Sequence, residues 1–242
     1  MKRYIYILLS VAFALIPGCK ENSEKNEIKF AVCADYPPFE YYDNGKMVGF
    51  DIELAIAVAH KLGMKAVFDD MQLPAVLVSV QNGHVEAAIS ALAATEEREK
   101  NCCFSVKYYS ENFAIIYRKE QPITTPEQMA NAKIACQLGS TMEIWMKKNV
   151  PSASLVLVDN NNLAVESLKA GIVGGVFIDE IQASVFCKKN PNLAYVHIAA
   201  SGEWYAIAMK KESKWKEKID KALKELISSG EVEKLKKKWL VE

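Results

Sequence analysis

Arg98 is the residue whose type and setting most invite chemistry. It lies within "VEAAISALAATEEREK", which starts apolar at Val85, and is the first cation after an alanine-rich run. A guanidinium just past the end of a strand sits at the rim where open α/β sheets hold ligands. On residues alone it is either an anion's partner or a surface arginine paired with Glu97 or Glu99. Asp179 raises the matching question, because it closes the apolar run "GGVFID" and precedes "EIQASVF". It can accept from a cationic ligand or cap the following helix. Between these two, Gly139–Ser140–Thr141 lies where a strand passes into a helix, and free N–H groups there suit a carboxylate. No nucleophile–base pair or metal-ligand spacing accompanies them. His60 falls inside a helix, His84 in a turn and His197 on a late strand, so no histidine is poised for acid–base work.

The elements that position these groups begin after an export signal. Lys2 and Arg3 precede an uncharged run from Tyr4 to Ile16, too short to cross a bilayer and typical of a secretory signal. Gly18–Cys19 resembles the lipobox of bacterial lipoproteins, which implies cleavage after residue 18 and a lipid on Cys19. Residues 1–18 are therefore expected to be a signal peptide and 19–27 a polar, flexible tether to the membrane. That places the protein in the periplasm or at the cell surface. Thirty basic and thirty acidic side chains cancel, which gives no electrostatic reason to expect nucleic acid. The remaining cysteines (Cys33, Cys102, Cys103, Cys136 and Cys187) are scattered and odd in number, as expected of small buried hydrophobes. A single bridge in an oxidising compartment is the alternative.

From Ile28 onward, strands alternate with helices. "IKFAVCA", "KAVFDD" and "VEAAIS" read as strands, "GFDIELAIAVAHKLG" and "PAVLVSVQNG" as helices stopped by Gly63 and Gly83. "KIACQ", "SLVLV" and "GGVFID" repeat the strand pattern, with helices at "TMEIWMKKNV", "NNLAVESLKAG" and "EIQASVFCKK". "YAIAMKK" and two amphipathic helices follow, whose lysines interleave with acids and form a solvated face. Alternation of this kind predicts an α/β fold with largely parallel sheets. Two units are joined twice, around "YYSENFAIIYRKEQP" and "ASGEWY", so a hinge and an interlobe cleft are expected.

In this order and spacing, "YPPFEYYDNGKMVGFDIELAIAVAHKLG", "LVSVQNGHVEAAIS", "TEER", "FSVKYYS", "LGST" and "FIDEIQA" resemble the solute-binding proteins of polar amino-acid ABC transporters. The resemblance implies a two-lobed, type II periplasmic-binding-protein fold. Lobe 1 would comprise residues 28–109 and 205–242, and lobe 2 residues 110–204. It also implies that the protein delivers a free amino acid to an ABC permease, without cofactor or catalysis. By the family pattern Arg98 holds the ligand's α-carboxylate together with Thr141 and Ser140 of the other lobe. Asp179 and the backbone carbonyl of Ala91 accept from the ammonium, and Tyr36 and Leu73 flank the side chain.

The chain departs from that pattern at two positions. Ala93 stands where a hydroxyl is common, leaving only its backbone N–H for the ligand. Cys33 stands where many basic-amino-acid and glutamine binders carry an aspartate. Gln137 can hydrogen-bond an amide, so the expected ligand is neutral and polar, glutamine foremost. Arginine, lysine or histidine is the alternative. A dehydratase on the same fold is the rival from another class, and it lacks the acid or base such chemistry needs.

Overall fold

The computed structural model describes residues 26–240. The expected signal peptide, the lipidation of Cys19 and all but the end of the tether lie outside them. The chain starts with β1 (Glu27–Val32), then a small antiparallel sheet of β2 (Asp35–Tyr36), β3 (Glu40–Asp43) and β4 (Lys46–Val48). There follow α1 (Phe50–Lys61), β5 (Lys65–Asp70), α2 (Leu73–Asn82), β6 (Ala87–Ala88), α3 (Glu96–Glu99) and β7 (Cys102–Phe104).

The next stretch builds a second sheet from β8 (Tyr109–Arg118), α4 (Pro126–Met129), β9 (Lys133–Gln137), α5 (Thr141–Asn149), β10 (Ser154–Val158), α6 (Asn161–Lys169), β11 (Gly175–Asp179), α7 (Glu180–Lys189) and β12 (Leu193–Tyr205). The chain then returns to the first sheet as β13 (Ala208–Lys210) and ends in α8 (Lys216–Ser228) and α9 (Glu231–Trp239). The two large sheets have the orders β5-β1-β6-β13-β7 and β10-β9-β11-β8-β12. Two α/β lobes result.

Each sheet is parallel only on one side, from its β5 or β10 edge inward. β1 pairs in parallel with β5 and β6, and β9 with β10 and β11. The returning β13 and the long β8 and β12 run antiparallel to their neighbours. This corrects the expectation of largely parallel order: strands that cross between lobes come back in the opposite sense. The two crossings lie side by side, with Tyr108 N donating to Tyr205 O at 3.0 Å and Ser105 N to Ile207 O at 2.9 Å.

Helix limits follow the local signals. α1 ends before Gly63 and α2 at Gly83, both at positive φ, where a side chain is disfavoured. β6 is far shorter than the apolar run Val85–Ser90 suggested. Only Ala87 and Ala88 pair with β1, and the chain turns sharply at Ser90–Ala91. Ala91 takes φ 45°, a conformation uncommon for a residue with a β-carbon. The five cysteines among the described residues are free thiols, so the alternative of a bridge is not realised. No helix among the described residues is long and apolar enough to cross a membrane.

Candidate functional site

Both lobes line one cavity. From the first come Cys33, Tyr36, Glu40, Leu73, Ser90, Ala91, Leu92 and Arg98, and from the second Gln137, Ser140, Thr141, Met142 and Asp179. Every residue singled out from the sequence is present except Ala93, which does not line it.

Arg98 is held by α3, a single turn capped by Thr95, whose hydroxyl accepts from Arg98 N. The side chain is only 8% exposed. Its Nη1 donates to Ala93 O at 3.0 Å and its Nη2 to Gly139 O at 3.1 Å in the other lobe. It is therefore not a surface cation neutralised by Glu97 or Glu99. Burial works against its charge, and a buried guanidinium is stable only among acceptors. Ala93 bridges to Tyr205, and its carbonyl steadies the arginine.

Asp179 occupies the first position ahead of α7, yet its side chain makes no capping bond. Its Oδ2 accepts from Tyr36 OH at 2.5 Å and from Tyr205 OH. Desolvation raises its pKa to about 6, and the two tyrosine hydroxyls restrain that rise. Tyr36 packs on Phe39, whose ring meets Phe50, Tyr109 and Tyr205. An aromatic cluster thus anchors the cavity floor to the hinge.

Across the cleft, Ser140 is the N-cap of α5: its Oγ accepts from Glu143 N at 3.2 Å and donates to Gln137 O at 2.6 Å. That hydroxyl is occupied by the turn, whereas the Thr141 hydroxyl has only a long contact of 3.6 Å to Met142 Sδ. Gln137 Nε2 donates to Asp159 O at 3.2 Å and approaches Cys33 Sγ at 3.8 Å across the lobes. Leu73 opens α2 and is buried against the wall.

Sequence reasoning passed over Glu40, Ser90 and the part played by Asp51. Glu40 is 1% exposed, and its Oε1 accepts from Ser90 Oγ at 2.8 Å. Behind it, Asp51 is fully buried and accepts from Ala91 N at 2.6 Å and Tyr108 OH at 2.9 Å. "FEYYD" gives no sign that its glutamate points inward. That follows only from the close packing of the hairpin on the start of α1, where a β-carbon at Gly49 would lie 2.2 Å from Phe39 O. Burial and the nearby Asp35 and Glu40 acids push the Cys33 thiol up beyond the ordinary range, so it is a neutral wall group. No cluster of three or more metal-ligating side chains occurs among the described residues.

The bacterial extracellular solute-binding proteins, family 3, match residues 28–242 of the chain. Over 250 residues the chain is 33% identical to the arginine-binding extracellular protein ArtP of Bacillus subtilis, covering 99% of this chain and 98% of that protein. It is 26% identical over 245 residues to the L-cystine-binding protein TcyJ of Escherichia coli, covering 95% and 92%. The structure of an ancestral arginine-binding protein bound to glutamine superposes with a TM-score of 0.85 at 37% identity, covering 90% of this chain and 99% of that one.

Proposed function

The chain belongs to the bacterial extracellular solute-binding proteins, family 3, and from that premise we propose that it captures one free L-amino acid between its lobes and passes it to an ABC permease. The observation that carries this is a buried guanidinium and a buried carboxylate, Arg98 and Asp179, on opposite sides of one cavity. An amino acid's two backbone charges each cost several kcal/mol to strip of water unless such partners replace it. Arg98 and the Thr141 hydroxyl take the α-carboxylate, and Ser140 serves by building the turn that presents Thr141. Asp179 and the Ala91 carbonyl take the ammonium. Tyr36 and Leu73 flank the side chain, and Gln137 lies farther along the wall. Because these groups come from both lobes, the ligand favours the closed arrangement over an open one.

The side chain it prefers is cationic, with arginine first. Cys33 turns the reading of the residues toward a neutral ligand, whereas the chain is 33% identical to a relative named for binding arginine and is similar to a structure of an ancestral arginine-binding protein. Glutamine is the second reading, supported by the Gln137 amide beside uncharged Cys33. The N-terminal region is proposed to supply the export signal and, through Cys19, a membrane anchor.

Calorimetry against the twenty amino acids tests this directly. A micromolar complex corresponds to about −8 kcal/mol. L-Arginine should bind most tightly and L-glutamine more weakly. Heat from no free amino acid would sink the reading.

A further inference from the structure

We propose that Glu40 and Asp51 hold one proton between them and, as a singly charged pair, fix the Ser90–Ala91 turn that presents Ala91 to the ligand. The proposal rests on the amino-acid reading only for what Ala91 contacts. The pair itself stands on geometry.

Both carboxyls are removed from water, at 1% and 0% exposure. Each spends one oxygen on that turn: Glu40 Oε1 on Ser90 Oγ, and Asp51 Oδ2 on Ala91 N and Tyr108 OH. The other two oxygens, Glu40 Oε2 and Asp51 Oδ1, are buried without a hydrogen-bond partner among the described residues. The two acids hold neighbouring groups of one turn, and each weighs on the other's charge. Two ionised carboxylates offer only acceptors, so one proton kept between them would give the orphaned oxygens a partner.

The surroundings give the proton every reason to stay. Asp35, Cys33, Tyr36 and Tyr108 are the titratable groups that face the pair, and all ionise to anions. No lysine or arginine forms an ion pair with either acid among the described residues. Burial first, and then the neighbouring acid, holds the Glu40 carboxyl well above the usual range, and burial raises Asp51 as well.

The consequence falls on Ala91, whose φ of 45° is held by its N–H to Asp51. Ser90 is fixed twice over, since its Oγ also accepts from Cys33 N at 3.0 Å. Loss of the shared proton would set two negative charges against each other in a dry site and release the turn. A raised folded pKa contributes stability that is complete below the ordinary carboxyl value of about 4.3. That contribution is lost as pH rises through the folded value. Ligand affinity should therefore fall on the alkaline side.

Glu40→Gln is the decisive variant. Its amide N–H₂ donates to Asp51 where the proton stood, its carbonyl accepts from Ser90, and the net charge is unchanged. It should bind L-arginine within about threefold of the parent at neutral pH and abolish the alkaline decline. Glu40→Ala strands Asp51 and Ser90 and should lose about tenfold or more at every pH. A ligand-free readout is the protonated-carboxyl stretch in the infrared at about pH 8, by which point Asp35, Asp179 and Glu111, with pKa values of about 6 to 7, are largely ionised. The band should be present in the parent and missing from both Glu40→Gln and Asp51→Asn. An unchanged band in those variants overturns the pair. So does a folded Glu40→Gln protein that loses as much L-arginine affinity as Glu40→Ala. A band that behaves as expected in a protein that binds no amino acid would leave the pair standing and remove the proposed function instead.

Discussion

Replacing Arg98 with alanine tests the site where its geometry is most specific. The side chain bridges the lobes, with Nη1 on Ala93 O and Nη2 on Gly139 O, and is nine-tenths buried. In the ligand-free protein the change removes two hydrogen bonds but also the cost of burying a cation. The net loss of stability should be about 1–2 kcal/mol, a drop in Tm of about 2–8 °C. In the complex it leaves the ligand's carboxylate buried without its counter-charge, a defect of about 3–5 kcal/mol. At 1.4 kcal/mol per decade that is about two to three and a half decades in Kd. Arg98→Lys keeps the charge but not the planar fork, and should lie between, at about a tenfold loss. Titration calorimetry with L-arginine and L-glutamine, beside thermal melts, reads both quantities. A folded Arg98→Ala protein that binds within threefold of the parent would refute the reasoning, because no other cation among the described residues lines the cavity.

Asp179, with a pKa raised to about 6, should make binding fall on acidification, by about one decade per pH unit below that value, as the ammonium loses its counter-charge. Stability of the ligand-free protein should move the opposite way. The contribution from Asp179 is complete below about 4 and is lost as pH rises through 6, which pH-dependent melts will show. Tyr36→Phe removes a hydroxyl that lowers the Asp179 pKa, so the acid limb of a pH titration of Kd should shift to higher pH. Gly49→Ala places a methyl 2.2 Å from Phe39 O at φ 129°, and the hairpin carrying Glu40 should detach. A loss of about 3 kcal/mol or more is expected, about 6–12 °C in Tm.

What could be read from the residues, and what could not, divides along a physical line. Helices α1, α2, α5, α6 and α7 were legible because apolar spacing and stop residues, glycine after α1, α2 and α6 and proline beyond α5 and α7, act within one element. Arg98, Asp179 and Thr141 were legible as a group only through motif order, since each has an ordinary local explanation. The structure removes those explanations one by one: Arg98 is buried without a glutamate partner, and Asp179 stands at a helix start without capping it. Glu40 and Asp51 were illegible because their meaning is tertiary. They come from a hairpin and a helix, and only the closure at Gly49 brings them together. β6 was overestimated for the same reason, as Ser90 and Ala91 answer to those two acids rather than to the apolar run before them. The residues proposed to bind are thus visible in the chain, while those that hold the Ser90–Ala91 turn are visible only once the chain is folded. Ligand choice should respond to both sets. A substitution at Cys33 alone, which leaves the acid behind Ala91 in place, should move the preference between arginine and glutamine less than a change at Glu40 that alters the pair's charge.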